Sequence, residues 1–160
     1  MDDLKNKILT FALAKESPEI FRNQKVVFTN GCFDILHLGH VEYLLKAKSL
    51  GDILVVGLNS DVSVKRLKGD NRPIHPEHAR AMVLAALLFV DYVIIFEEDT
   101  PYNLIRYIAP DVLVKGGDYR AEDVVGADIM KTNGGKVVII PLTEGFSTTR
   151  VLQKAKISEL

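Results

Sequence analysis

Apolar residues concentrate in five short, nearly continuous runs, at 25–29, 53–58, 92–96, 112–115 and 136–140. They are rich in Val and Ile and lack a clean apolar–polar alternation, the pattern of parallel strands covered on both faces. Between them, residues 39–49, 76–88, 101–108, a shorter stretch near 127–132, and 147–157 carry helical spacing. Before the first run, Leu4, Ile8, Phe11 and Leu13 give roughly helical spacing, closed by Ser17-Pro18. Strand and helix thus alternate from end to end, which implies a parallel sheet with right-handed crossovers. The pattern predicts a single α/β domain over 1–160: a Rossmann-like, doubly wound, parallel five-stranded sheet with helices on both faces. Residues 1–20 are expected to form an N-terminal helical extension. No repeat, low-complexity stretch or linker interrupts it.

Composition narrows the class. The chain has 160 residues, 48% of them apolar, enough for one well-buried core and short for two. A formal net charge of −1 supplies no global field toward nucleic acid or an anionic membrane. The longest apolar stretch, 81–90, is too short to span a bilayer. Met1-Asp2-Asp3-Leu4-Lys5 lacks the basic and apolar regions of a secretory signal. One cysteine, Cys32, excludes an internal disulfide and fits a reducing compartment. The expectation is a cytoplasmic protein with neither nucleic-acid nor membrane partners.

The chemistry lies in Asn30-Gly31-Cys32-Phe33-Asp34-Ile35-Leu36-His37-Leu38-Gly39-His40. A strand ending in a glycine turn and leading into a helix gathers backbone N–H groups and a positive helix end at one point, as a phosphate requires. His37 and His40, with the small Gly39 between them, then offer donors to oxygens that gain negative charge. An isolated H-x-x-H would more often be structural. A zinc pair would need three or four ligands, whereas His75 and His78 belong to another segment, so no metal site is expected. Cys32 is read as a small buried turn residue, and Asp34 as a group that orients the loop or a histidine.

Ser147-Thr148-Thr149 opens the last helix. One hydroxyl suffices for an N-cap, and three after Gly145 suit a second phosphate-binding point. Lys65-Arg66-Leu67-Lys68-Gly69 and Arg72 form a basic stretch, expected to be a flexible loop. Such runs are ordinarily solvated, but a lysine closing over a triphosphate is the rival reading, with Lys68 favoured. Arg80 sits early in a helix, where a cation gains nothing from the dipole, so an anion or carboxylate would hold it there. The loops after the first, fourth and fifth runs carry the histidines, Lys115-Gly116-Gly117-Asp118, and Glu144 to Arg150. All three fall at the carboxyl edge of the sheet, where ligands bind in open α/β folds.

Together, Gly31-x-Phe33-Asp34-x-x-His37-x-Gly39-His40 and Ser147-Thr148-Thr149 resemble the cytidylyltransferase-like nucleotidyltransferases. Thr29 to His37, Lys65 to Gly69, Phe96-Glu97-Glu98-Asp99-Thr100-Pro101 and Val114 to Tyr119 are most similar to the D-glycero-D-manno-heptose 1-phosphate adenylyltransferase branch, which makes ADP-heptose for lipopolysaccharide. The resemblance implies direct in-line attack of a sugar 1-phosphate on the α-phosphate of ATP. It implies His37, His40 and Lys68 as catalytic residues, and Asn30, Gly31, Phe33, Gly39, His40, Gly116, Asp118, Ser147, Thr148 and Thr149 as nucleotide-binding, with Asp34 and Arg80 as further candidates. Mg²⁺ is expected to arrive with ATP, and a homo-oligomer, a dimer first, is expected. The branch is often fused behind a sugar kinase; a chain this short has no room for one, so a separate upstream kinase is expected. Leu142 stands where glycerol-3-phosphate cytidylyltransferases carry an arginine. That enzyme and an FMN adenylyltransferase remain the alternatives, with a non-catalytic nucleotide-binding module as a third.

Overall fold

A computed structural model describes residues 2–143 and 145–157, so Met1, Glu144 and residues 158–160 lie outside the described residues. The strands are β1 (Ile8–Thr10), β2 (Val26–Gly31), β3 (Ile53–Asn59), β4 (Tyr92–Phe96), β5 (Val112–Gly116) and β6 (Lys136–Ile140). The helices are α1 (Asp2–Lys5), α2 (Phe11–Glu16), α3 (Leu38–Lys48), α4 (Asp61–Lys68), α5 (Glu77–Ala85), α6 (Tyr102–Ile108), α7 (Ala127–Asn133) and α8 (Thr148–Ile157). The strands form one parallel sheet in the order β1-β4-β3-β2-β5-β6. The chain steps outward from β2 through β3 to β4, then returns to the other side of β2 for β5 and β6. The order therefore reverses between β2 and β5, the crevice where open α/β sheets bind ligands.

The sheet has six strands rather than the expected five, because the N-terminal segment is not one helix. Residues 8–10 pair with β4, Ile8 beside Val93 and Thr10 beside Ile95. The Lys7 carbonyl accepts from Val93 N–H at 2.8 Å, and Lys7 Nζ donates to the Val90 carbonyl at 2.9 Å. The apolar spacing of Leu4, Ile8, Phe11 and Leu13 imitates a helix. The open edge of β4 offers those three residues backbone partners, while Thr10 caps α2 by accepting from Leu13 N–H. The segment thus completes its own sheet.

The basic run is likewise not a loop. Lys65, Arg66 and Lys68 form the last turn of α4, which Ser60 caps by accepting from Ser63 N–H and Gly69 ends at φ 92°. The cations sit where the helix end is negative. With just Val62, Val64 and Leu67 as apolar residues, this helix carries too weak a periodic signal to be read from sequence.

Alternation along each strand sends side chains to opposite faces. Val27, Leu54, Val56, Val112 and Val114 pack under Tyr43, Leu44 and Ala47 of α3 and Ala81, Leu84 and Ala85 of α5. Val26, Phe28, Val55, Ile94 and Leu113 pack on the other face against Leu104, Ile105 and Ile108 of α6 and Ile129 and Met130 of α7. Among the described residues, no helix is long and apolar enough to cross a membrane.

Candidate active site

At the carboxyl end of β2 the chain leaves the sheet through Gly31 and turns sharply at Phe33, whose φ of 43° is unusual for a residue with a side chain. A Cβ on Gly31 would lie 3.0 Å from the Phe33 ring, so the glycine makes room for that turn. Cys32, between them, is half-buried rather than buried, because it lies at the mouth of the cavity described below. Asp34 is 3% exposed, and its carboxylate accepts from Ile74 N–H at 2.8 Å, His75 N–H at 3.0 Å and Arg72 Nε at 2.6 Å. Burial raises the carboxyl pKa, but the donors from His75, Ile74 and Arg72 outweigh it and hold Asp34 below the usual carboxylate range. Asp34 therefore ties the turn to the segment before α5.

His37 occupies the N-cap position of α3, but its side chain makes no capping bond. Its ring instead stacks on His40, with centroids 3.8 Å apart, and Phe33 meets His40 edge-on at 5.3 Å. A Cβ on Gly39 would lie 3.2 Å from the His37 ring and 3.3 Å from Phe146 Cβ, which explains the small residue between the histidines. Nδ1 of both imidazoles is buried without a hydrogen-bond partner. Burial lowers the pKa of both; with His37 and Lys68 nearby, His40 falls to about 4. At neutral pH this is a pair of uncharged imidazoles with unused polar atoms, next to a helix start whose first N–H groups lack intrahelical acceptors.

The second helix start faces the same space. Ser147 caps α8, its Oγ accepting from Arg150 N–H at 3.2 Å, and this leaves the hydroxyls of Thr148 and Thr149 without a protein partner among the described residues. The cavity between the two helix starts measures about 360 Å³. It is lined by Asn30, Gly31, Phe33, His37, Gly39, His40, Lys68, Gly116, Ser147, Thr148 and Thr149, so nearly all the sequence candidates converge. Asp118 is exposed and does not line it. Arg80 is 2% exposed and lies below the turn, its guanidinium used by protein groups: Nε donates to the His75 carbonyl, Nη1 to the carbonyls of Cys32 and Asn59, and Nη2 to Asp61.

The cavity also holds residues that sequence reasoning did not select. Lys115 lies at the end of β5, its Nζ making one long contact to Asn30 Oδ1 at 3.5 Å, and burial lowers its pKa. A lysine closing an otherwise Val-rich strand just before two glycines was the available signal. Tyr43 has its hydroxyl 2.6 Å from Thr29 Oγ1 and donates to the Val114 carbonyl at 3.2 Å, so it joins α3, β2 and β5 beneath the site. Burial pushes its phenol up to about 12, so it stays protonated. Leu142 meets Gly116 so closely that a Cβ there would lie 2.9 Å from Leu142 Cδ2. A larger groove of about 570 Å³ between α2 and α6 lacks histidines and lies away from both helix starts.

Two helix N-termini, two lysines and two uncharged imidazoles at the switch point of a Rossmann-like sheet define a protein built to receive polyphosphate. Residues 28–154 match the family model described as cytidylyltransferase-like. Over 135 residues the chain is 62% identical to the bifunctional protein HldE of a Nitratiruptor species, covering 84% of this chain and 28% of that protein. It is 55% identical over 147 residues to the bifunctional protein HldE of Citrifermentans bemidjiense, covering 92% and 30% respectively. The chain therefore spans under a third of the length of these curated relatives. The crystal structure of the lipopolysaccharide core biosynthesis protein from Thermoplasma volcanium aligns with a TM-score of 0.60 at 32% identity, covering 76% of this chain and 98% of that one. The pantoate-beta-alanine ligase of Francisella tularensis, at 16% identity and a TM-score of 0.59 over 96% of this chain and 78% of its own, shares the fold alone. The chain belongs to the cytidylyltransferase-like family and is a nucleotidyltransferase.

Proposed function

We propose that this enzyme joins ATP to D-glycero-D-manno-heptose 1-phosphate, giving ADP-heptose and pyrophosphate. The observation that carries the reading is the stacked His37–His40 pair, each with an orphaned Nδ1, facing the free hydroxyls of Thr148 and Thr149 across one cavity. The choice of acceptor draws support from the resemblance to the heptose branch and from the HldE relatives. Leu142 at the cavity wall, in place of an arginine, speaks against glycerol phosphate as acceptor.

In this reading a 1-phosphate oxygen of the sugar attacks the α-phosphorus in line. The new O–P bond forms as the bond from the α-phosphorus to the bridging oxygen breaks, and pyrophosphate leaves with that electron pair. Charge grows on the non-bridging and leaving oxygens, so catalysis is positioning plus electrostatics. His37 and His40 donate N–H groups to these oxygens, and a polyphosphate beside them draws their pKa values upward. Lys68 neutralises phosphate charge, while Thr148, Thr149 and the start of α8 hold the β/γ end. The Asn30–Gly31 edge and Gly116 admit the nucleotide to close backbone contact. Arg80 and Asp34 act as positioning residues. Mg²⁺ enters as part of the substrate, carried on phosphate oxygens. The cavity suits that form, since its groups are imidazoles, ammonium groups and hydroxyls, and the Asp34 carboxylate is already saturated by donors. We further propose a cytoplasmic setting, a homodimer and a separate kinase supplying the sugar phosphate.

The test is pyrophosphate release with heptose 1-phosphate, in α and β forms, against ATP, CTP, GTP and UTP with Mg²⁺. Turnover restricted to ATP and a heptose phosphate is the expected result. Turnover of CTP with glycerol 3-phosphate, and silence with heptose, would overturn the acceptor and the base while keeping the chemistry.

A further inference from the structure

Helix α4 brings Lys68 to the cavity, yet little apolar packing holds that helix in place. It has eight residues, about two turns, too short to persist by itself in water. Of its apolar side chains Val64 is buried, while Val62 and Leu67 are 56% and 50% exposed. Polar ties fix it instead, and the end of β4 with the turn after it receives four of them. Ser60 N–H donates to the Phe96 carbonyl at 2.9 Å. Ser63, fully buried, donates from Oγ to the Glu98 carbonyl at 2.9 Å and accepts from Asn59 Nδ2 at 2.9 Å. Arg66 Nε donates to Asp99 Oδ1 at 2.6 Å, and its Nη2 donates to the Glu97 carbonyl. Three successive residues, 97–99, thus receive one face of α4, although none of them lines the cavity between the two helix starts.

We propose that Arg66 and Asp99 are positioning residues for Lys68, and that the turn at 97–99 is the platform that sets where its ammonium enters the cavity. This rests on the nucleotidyl-transfer reading above. Ser63 and Arg66, three positions apart, share the face turned to the platform. Lys68 lies two residues beyond Arg66, about 200° round the helix, so it projects away from the platform. Its ammonium makes none of the ion pairs found among the described residues. Its four-carbon stem is flexible, so the place of its Cα decides where the charge acts. Arg66 is the platform tie nearest that Cα, and Gly69 ends the helix directly after Lys68, so no further helical turn steadies it from the other side. The planar guanidinium reaches a carboxylate and a carbonyl at once, which fixes direction as well as distance. At 45% and 60% side-chain exposure, the Arg66–Asp99 pair adds little to stability. A misplaced phosphate-binding charge, in contrast, costs rate steeply. The effect of the pair is therefore expected in catalysis rather than in folding.

A double-mutant cycle on the full chain tests the assignment: Arg66→Met, Lys68→Met and the two together, with ATP and heptose 1-phosphate varied in turn. Lys68→Met should lower kcat/KM for ATP about a hundredfold, the effect of one lost charged donor. Arg66→Met should lower it about tenfold in the native background, and by less than about twofold once Lys68 is gone. Arg66→Lys should stay near the Arg66→Met value, because an ammonium cannot make both bonds in that geometry. Asp99→Ala should lower kcat/KM about fivefold, since Arg66 keeps its bond to the Glu97 carbonyl. Each single variant should keep its Tm within about 3 °C of the native enzyme. Calorimetric titration with a non-hydrolysable ATP analogue reads the same cycle without turnover: Arg66→Met should weaken binding only while Lys68 is present. Equal losses with and without Lys68, a loss under about twofold for Arg66→Met, or native activity in Lys68→Met each overturn the proposal. If the enzyme ignores heptose 1-phosphate and turns over glycerol 3-phosphate with CTP, the acceptor reading fails by itself. The same cycle, run on that substrate pair, then decides the platform separately.

Discussion

Arg80 offers a sharp test of how the site is held together. Its guanidinium is 2% exposed and binds four groups from three segments: the carbonyl of Cys32 at 2.6 Å, that of Asn59 at 2.9 Å, that of His75 at 2.9 Å and Asp61 Oδ1 at 2.7 Å. It thereby clamps the phosphate-binding turn to the end of β3 and to the segment that Asp34 also holds. A hydrogen bond to a charged group contributes about 1.5–3 kcal/mol, and four such bonds taken independently would exceed the stability of many domains. They are not independent, since Asp61, at 32% side-chain exposure, regains water when its partner is removed. The carbonyls of Cys32 and Asn59 regain less. Breaking a buried charge pair from one side costs about 3–5 kcal/mol, and that range is expected for Arg80→Met. The assay is urea unfolding: the midpoint should fall with little change in slope, and Tm should drop by roughly 10 °C. Arg80→Lys should recover part of the loss at most, because an ammonium cannot reproduce the planar fork. Asp61→Asn should cost much less in the Arg80→Met background than alone. A loss under about 1 kcal/mol for Arg80→Met, or strict additivity with Asp61→Asn, would refute the clamp.

Other outcomes follow from the same geometry. His40→Ala should lower kcat about a hundredfold, the usual effect of one lost transition-state donor, and turnover within about threefold of wild type would remove its role. Stability should also depend on pH through this residue. His40 falls from 6.5 to about 4 in the folded protein, so the unfolded chain binds the extra proton between those values. Its contribution is complete above pH 6.5 and is lost as pH falls toward 4. A urea-unfolding series across that window should show a shallower acid decline for His40→Gln than for wild type, and matching declines would refute the burial argument.

Much of the molecule was legible because its signals are local. The five Val- and Ile-rich runs became β2 through β6 within two residues at each end, since a strand buried on both faces must be apolar throughout. The turn from Gly31 to His40 was readable because its glycines, histidines and following helix lie within one short stretch. Convergence with Ser147-Thr148-Thr149 followed from strand–helix alternation, which places every βα loop on one edge. Tertiary structure alone decided what depends on distant partners. Three residues of the N-terminal segment became β1 because β4 would otherwise present an unpaired edge. The basic run became the end of α4 because Ser60 and Gly69 cap a helix whose apolar face is too sparse to announce itself. Arg80 received its carboxylate from Asp61 and its carbonyls from segments up to 48 positions away. Lys115 gained its place through the pairing of β5 with β2, which set it in the cavity beside Asn30. A sequence records which groups are present and their local spacing; which of them share a cavity is set by long-range pairing across the sheet.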